Sequence, residues 1–233
     1  MAETREEPGG IRGRFRAQVR SEAKQVALRQ LAVGGPQALS INAIGKELGV
    51  SGPALYRYFA NRDDLLTELV ADAYHDLAAA LAAATRRARR LRPERRLRAV
   101  VAAYRDWARA EPHRYRLLFA APLPGYDAHS TRLVTASQEA MQVLLDVLAD
   151  LVPQNGDGGG EADLLDGQLD SWSRTRGLTG VGPTLALRSV MAWSRLHGLV
   201  SLEIEGNFAS MGLDPDLLFD AEVAALVSPP SQA

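Results

Sequence analysis

Residues 41–60 read INAIGKELGVSGPALYRYFA, and the order of side chains in this stretch decides what the chain can fold into. Ser40, just before it, is expected as a helix N-cap, because its hydroxyl can accept from a free amide two or three residues on. Ile41, Ile44 and Leu48 supply one apolar face of a short helix that ends at Gly49. Ser51 is the next N-cap expected, and Pro53 fits the first turn, where its missing N–H costs nothing. Leu55 and Phe59 give the buried face of the helix that follows, over 51–59. Two short helices on a tight turn pack at a steep angle, and that restricts residue size. Gly45 lets the second helix approach the first, while Gly49 supplies the positive φ of the turn. Ile44, Leu48, Val50 and Leu55 make the miniature core between them. The spacing is that of a DNA-binding helix-turn-helix, with an ordinary helical hairpin as the plainer alternative.

Outward from this stretch the chain reads as helix throughout. Val19, Ala23, Val26, Ala27 and Leu31 recur at three and four on a first helix over 12–33, which stops at Gly34-Gly35-Pro36. Asn61 is expected to cap a long fourth helix over 62–90, with Asp63 and Asp64 in its first turn, where negative charge suits the helix dipole. Further helices are expected from Pro93 to about 111, over 113–120, 127–151, 161–176, 183–206 and 214–227. Pro122, Pro124 and Gly125 break the chain, and 153–160 reads as a flexible loop. Alternating β-branched runs are absent. The expected fold is all-α: a disordered arm over 1–11, a three-helix helix-turn-helix domain over 12–60, a larger helical ligand-binding and dimerisation domain over 61–228, and a disordered tail over 229–233.

Composition narrows the function. Hydrophobic residues make up 46% of 233, enough for a real core, and there is no cysteine, which excludes disulfides and thiolate metal sites. Residues 1–8 are acidic and polar and lack the apolar core of a signal peptide. No stretch reaches the roughly 18 apolar residues of a membrane span. A soluble, cytoplasmic protein is expected, with no membrane partner. Charge is asymmetric. Residues 10–60 hold eight basic groups against two acids, a net of +6, whereas 151–233 hold four arginines against eleven acids, a net of −7. A basic head on an acidic body suits one face that meets a polyanion, and arginines on a solvated helix face would give the same balance. The eight arginines between Arg86 and Arg98 read as solvated helix ends, favourable at a helix C-terminus, with an anionic-ligand entrance as the minor option. The four histidines (His75, His113, His129, His197) form no His-Glu-x-x-His pair, the glycines 158–160 lack a following Lys-Ser or Lys-Thr, and there is no Gly-x-Ser-x-Gly. No catalytic residue, metal or cofactor is expected, and a helical small-molecule-binding enzyme is the remote reading.

The segment 19–69 resembles the TetR/AcrR family of transcriptional regulators. Carrying the resemblance are Gly35, Ala38-Leu39-Ser40, Ile44-Gly45, Leu48-Gly49-Val50-Ser51, Ala54-Leu55-Tyr56-Arg57-Tyr58-Phe59 and Arg62-Asp63-Asp64-Leu65-Leu66. Residues 193–208, WSRLHGLVSLEIEGNF, are also similar to the subgroup with a Trp-x-x-x-His-Gly signature. The resemblance implies a sequence-specific regulator, by family default a repressor, that binds a palindromic operator as a homodimer and is released by a small-molecule effector. It implies that Ser51, Gly52, Pro53, Ala54 and Tyr56 face base edges in the major groove, that Ser40 contacts phosphate through hydroxyl and amide, and that Tyr58 and Arg62 contact flanking phosphates. Arg57 is either a phosphate contact or a solvated arginine. In the body it implies an effector pocket, with Tyr104, Trp107, Phe119, Met141, Leu144, Trp172 and Trp193 as candidate lining and His197 as a polar handle. A dimer face would lie on the last two long helices, with Ser189, Ala192 and Gly198 permitting a close crossing. The rival within DNA binding is a sequence-nonspecific architectural protein, against which the acidic C-terminal half argues.

Overall fold

The computed structural model describes residues 10–119, 126–127, 130–151, 164–178 and 180–227. Most of the expected arm, the 153–160 loop, the Pro122–Gly125 break and the tail lie outside the described residues. Every regular element among those described is helical: α1 (Ile11–Gly34), α2 (Ile41–Glu47), α3 (Gly52–Leu55), α4 (Arg62–Ala88), α5 (Pro93–Ala110), α6 (Pro112–Phe119), α7 (Thr131–Ala149), α8 (Leu164–Thr175), α9 (Pro183–Ile204), α10 (Asn207–Ser210) and α11 (Pro215–Val227). None is long and apolar enough to cross a membrane. Two short elements had no signal in the sequence, α10 and a 3-10 turn at Pro36–Ala38.

The chain divides into two compact units, Met1–Ala73 with His113–Leu133, and Tyr74–Pro112 with Val134–Ala233. The first unit is built on α1. Its residues Val19, Ala23, Val26, Ala27 and Leu31 are all buried, as their spacing requires, together with Ile44, Leu55, Phe59, Leu65 and Leu66. Each large side chain so buried contributes about 1.5–3 kcal/mol of apolar transfer energy. The helix stops where expected: Gly35 has φ +64° and its amide donates to the Leu31 carbonyl, 2.9 Å away. Buried Glu68 on α4 is compensated by two cations of α1, Arg20 and Lys24 (3.0 Å), and Lys24 also reaches Asp72 at 2.8 Å. A lone buried carboxylate would be costly, so these pairs fix the rotation of α1 against α4.

The second unit holds α5, α8, α9, α10, α11 and most of α4 and α7. Its core is apolar, with Leu77, Leu97, Leu145, Leu148, Leu196 and Val200 almost fully buried. One ionic cluster interrupts it. The buried Arg105 of α5 donates twice to Glu203 at the end of α9, both at 2.7 Å, and once to Asp216 at the start of α11, at 2.6 Å. Its guanidinium also lies 4.7 Å from the centre of the Phe219 ring. The hydrogen bond to Glu203 raises the Arg105 pKa above its ordinary range, against the opposing effect of burial. Arg188 of α9 donates to two helix C-terminal carbonyls, Leu151 just past α7 (3.4 Å) and Leu226 in the last turn of α11 (3.3 Å).

Candidate nucleic-acid interface and effector pocket

The turn between α2 and α3 has the geometry its glycines imply. Gly49 sits at φ +67°, and the Val50 amide donates to the Gly45 carbonyl at 2.9 Å. A Cβ on Gly45 would lie 3.0 Å from the Val50 carbonyl oxygen and 3.4 Å from Leu55 Cδ1, so the helices touch through this hydrogen. Gly52 makes a second close contact, since a Cβ there would sit 2.5 Å from Asn42 Oδ1. Asn42 carried no signal in the sequence, because its role depends on where α3 crosses α2.

Leu55 and Phe59 point inward, each 1% exposed. Ser51, Pro53, Tyr56 and Arg57 are exposed on the opposite side, and Gly52, Ala54 and Tyr58 are half-buried. Two expectations need correction. Regular α-helix covers only Gly52–Leu55; beyond it the amides of Arg57 and Tyr58 bond three residues back, to Ala54 (3.3 Å) and Leu55 (2.8 Å). Aromatic residues at 56, 58 and 59 favour helix weakly, and Ala60 is already committed to the next element through Asp64 Oδ2 at 2.9 Å. Ser51 stands at the N-cap, yet its hydroxyl makes no capping bond. Asn61 does cap α4, accepting from the Asp64 amide at 2.8 Å.

Ser40 caps α2 as expected, accepting from the Ala43 amide at 3.3 Å, while its own amide donates to Gln30 Oε1 at 2.9 Å. The amide is thus already used, and the hydroxyl hydrogen remains to donate. The half-buried Arg62 donates to the Pro36 carbonyl and so braces the α1–α2 connection. Much of the basic excess is also spent internally. Arg20 bonds Glu68 and the Tyr58 carbonyl and lies 4.9 Å from the Phe59 ring, Lys24 meets Glu68 and Asp72, and Arg29 pairs with Glu47 at 2.6 Å. Glu68 and Asp72 lie just past residue 60, which is why counting over 10–60 overstated the free charge. Lys46 and Arg57 are exposed and form no ion pair with a described residue.

In the second unit, α4, α5, α7 and α9 leave a partly open apolar hollow with a cavity volume of about 20 Å³. Tyr104, Leu144 and Trp193 border it, as expected from the resemblance; Leu81, Val100, Val101, Ala140 and Leu196 complete the wall. The Tyr104 and Trp193 rings meet at 5.4 Å and 57°, and His197 stacks on Trp193 at 6.2 Å and 12°. Burial lowers the His197 pKa, favouring the neutral ring. Trp107, Met141 and Trp172 are half-buried but do not border the hollow, and Trp172 instead lies 5.6 Å from the Arg176 guanidinium. Phe119 packs on Tyr115 at 4.9 Å in the first unit and is not part of this wall.

The expected dimer residues divide. Ser189 and Ala192 are 0% and 1% exposed inside their own unit, and the Ser189 hydroxyl donates back to the Leu185 carbonyl at 2.7 Å, so neither presents a surface to a partner. The exposed stripe of α9 instead carries Leu187, Met191 and Leu202, with Leu217 exposed on α11. Gly198 falls on that stripe by its spacing, and a Cβ there would meet nothing within 4 Å. Among the described residues nothing requires this glycine. In the arginine-rich segment, Arg96 pairs with Asp150 and Arg98 with Asp220.

Comparison with known proteins adds the family. Residues 25–69 match the family model described as bacterial regulatory proteins, tetR family, and residues 97–226 match that of the tetracyclin repressor-like C-terminal domain. The HTH-type transcriptional regulator Rv1816 of Mycobacterium tuberculosis is 30% identical over 228 residues, covering 94% of this chain and 95% of that one. The crystal structure of SCO4313, named a regulatory protein, is similar with 40% identity and a TM-score of 0.77, over 94% of this chain and all of that one. A protein of unknown function from Rhodococcus sp. RHA1 shares the fold at 21% identity and a TM-score of 0.65, over 97% of each chain.

Proposed function

We infer, since this chain belongs to the TetR family of bacterial transcriptional regulators and binds DNA through its helix-turn-helix, that it acts in the cytoplasm as a homodimer on a two-fold operator and leaves it when a small molecule fills the second unit. The observation that carries the DNA-reading part is the outward set Ser51, Pro53, Tyr56 and Arg57, held by the inward Leu55 and Phe59. Small residues at 51–54 permit close approach to base edges, and Pro53 and Ala54 offer carbon to thymine methyls. Ser40, Lys46, Arg57 and Tyr58 are the phosphate contacts we assign, with Arg62 as a brace that shares its guanidinium with Pro36. A head this small makes few base contacts, so two copies about one helical turn apart are needed for specific affinity.

The dimer surface we assign is the exposed stripe Leu187, Met191, Gly198 and Leu202 of α9 together with Leu217 of α11. Exposed apolar residues recurring along one side of a helix suit a self-complementary two-fold contact. Met191→Asp is expected to yield monomers by sedimentation. Release would work as a population shift: the effector favours a spacing of the two heads that does not fit the operator. Helix α4 is continuous from Arg62 to Ala88 and belongs to both units, which makes it the natural lever. No enzymatic activity is proposed. Selection of bound fragments from a random DNA pool tests the reading. A palindromic consensus is expected; a pool that enriches no sequence, with binding lost to random competitor DNA, would favour the architectural alternative.

A further inference from the structure

The hollow of the second unit restricts what can occupy it. None of its eight lining residues is Asp, Glu, Lys or Arg, and the polar atoms of its walls are confined to the Tyr104 hydroxyl, the Trp193 indole N–H and backbone. The cation next to it along α5, Arg105, is already neutralised by Glu203 and Asp216, to which it donates through Nε and Nη2. His197, stacked on Trp193, has its pKa lowered by burial, which disfavours the charged ring beside the hollow. An anionic ligand would therefore lose its hydration and gain no counter-ion, which is the costly case for burying charge. Room is also short. The cavity volume is about 20 Å³, close to the room for a single water, and a lining of this apolar kind offers a water few partners while it suits a small apolar guest. Tyr104 and Trp193, 57° apart, form a corner in which a further ring can pack edge to face.

We propose that the effector is an uncharged, largely apolar molecule of one or two rings, seated in the Tyr104–Trp193 corner, and that carboxylates and phosphate esters are excluded from the site. This rests on the reading above that the hollow is the effector site. Such a molecule must part the walls to enter, and Trp193, half-buried where the other seven lining residues are buried, stands at the exposed side of the hollow.

The test uses the full-length protein and two matched pairs of probes, toluene with benzoate and indole with indole-3-carboxylate, titrated calorimetrically. The neutral member of each pair is expected to bind at least about a hundredfold tighter than the anion. Ala140→Leu fills the hollow and should weaken toluene at least about tenfold; Leu144→Ala enlarges it and should tighten indole. The proposal is overturned by an anion that binds as well as its neutral partner, or by neutral probes whose affinity neither variant changes. It is equally overturned if no neutral probe binds even the Leu144→Ala protein. Operator binding measured on the same samples separates the two readings. A neutral probe that binds without moving the operator leaves the ligand class standing and removes the regulatory role of the site. An anion that releases the operator removes the ligand class and leaves regulation intact.

Discussion

Exchanging Arg105 for methionine keeps most of the hydrocarbon stem and deletes the charge that holds α5, α9 and α11 together. It strands Glu203, whose side chain is 9% exposed, and among the described residues leaves it the half-exposed Arg109, 3.4 Å away, as cation. Removing one partner of a buried pair costs about 3–5 kcal/mol. Asp216 is 72% exposed, so its share is worth at most about 1 kcal/mol. Arg109 recovers part of the loss and the Phe219 contact adds part, which leaves an expected loss of about 3 kcal/mol. Arg105→Met combined with Glu203→Leu deletes both charges and should cost no more than about 1 kcal/mol, because no buried carboxylate is left alone. Urea unfolding followed by tryptophan fluorescence is the assay. Trp107, Trp172 and Trp193 are the only tryptophans and all belong to the second unit, so the signal reports on it alone. Protein concentration must be held fixed, since dimerisation adds to apparent stability. A single-variant loss below about 1 kcal/mol, or a double variant as unstable as the single one, would refute the claim that stranded charge sets the cost.

Three further outcomes are expected. Gly49→Ala forces an L side chain to φ +67° and should cost about 1–2 kcal/mol, visible as faster hydrogen exchange in α2 and α3; unchanged exchange would mean the turn accommodates the strain. Arg57→Ala should lower the salt slope of operator binding by about 0.9 with stability unaltered, whereas Arg62→Ala should destabilise the first unit by about 1.5 kcal/mol through loss of the Pro36 bond; the reverse pattern would exchange their roles. His197 gives a pH signature. Because burial lowers its pKa, the unfolded chain takes up the extra proton first, so stability falls as pH drops through about 6.5 and levels off below the folded value. Wild type should lose more stability than His197→Gln between about pH 7 and about pH 5, and superimposable curves would exclude a contribution from this ring.

Much of the reading head was legible from residue order because its decisive interactions are local. The stop at Gly35-Pro36, the Ser40 and Asn61 caps and the Gly49 turn each span no more than about four residues, and the three-to-four spacing on α1 states which face is buried. The pairing of charges was not legible. Arg20 and Lys24 find acids 48 positions away, and Arg105 finds Glu203 and Asp216 at separations of 98 and 111, so a window count of charge cannot tell a spent arginine from a free one. The rotation of α9 was hidden too. Apolar and small residues occur all round that helix, so its periodicity does not say that Ser189 and Ala192 face inward while Leu187 and Met191 face out. Nor could any residue type announce the hollow. A void is a mismatch among side chains from four helices, and it comes into being only when α4, α5, α7 and α9 have packed.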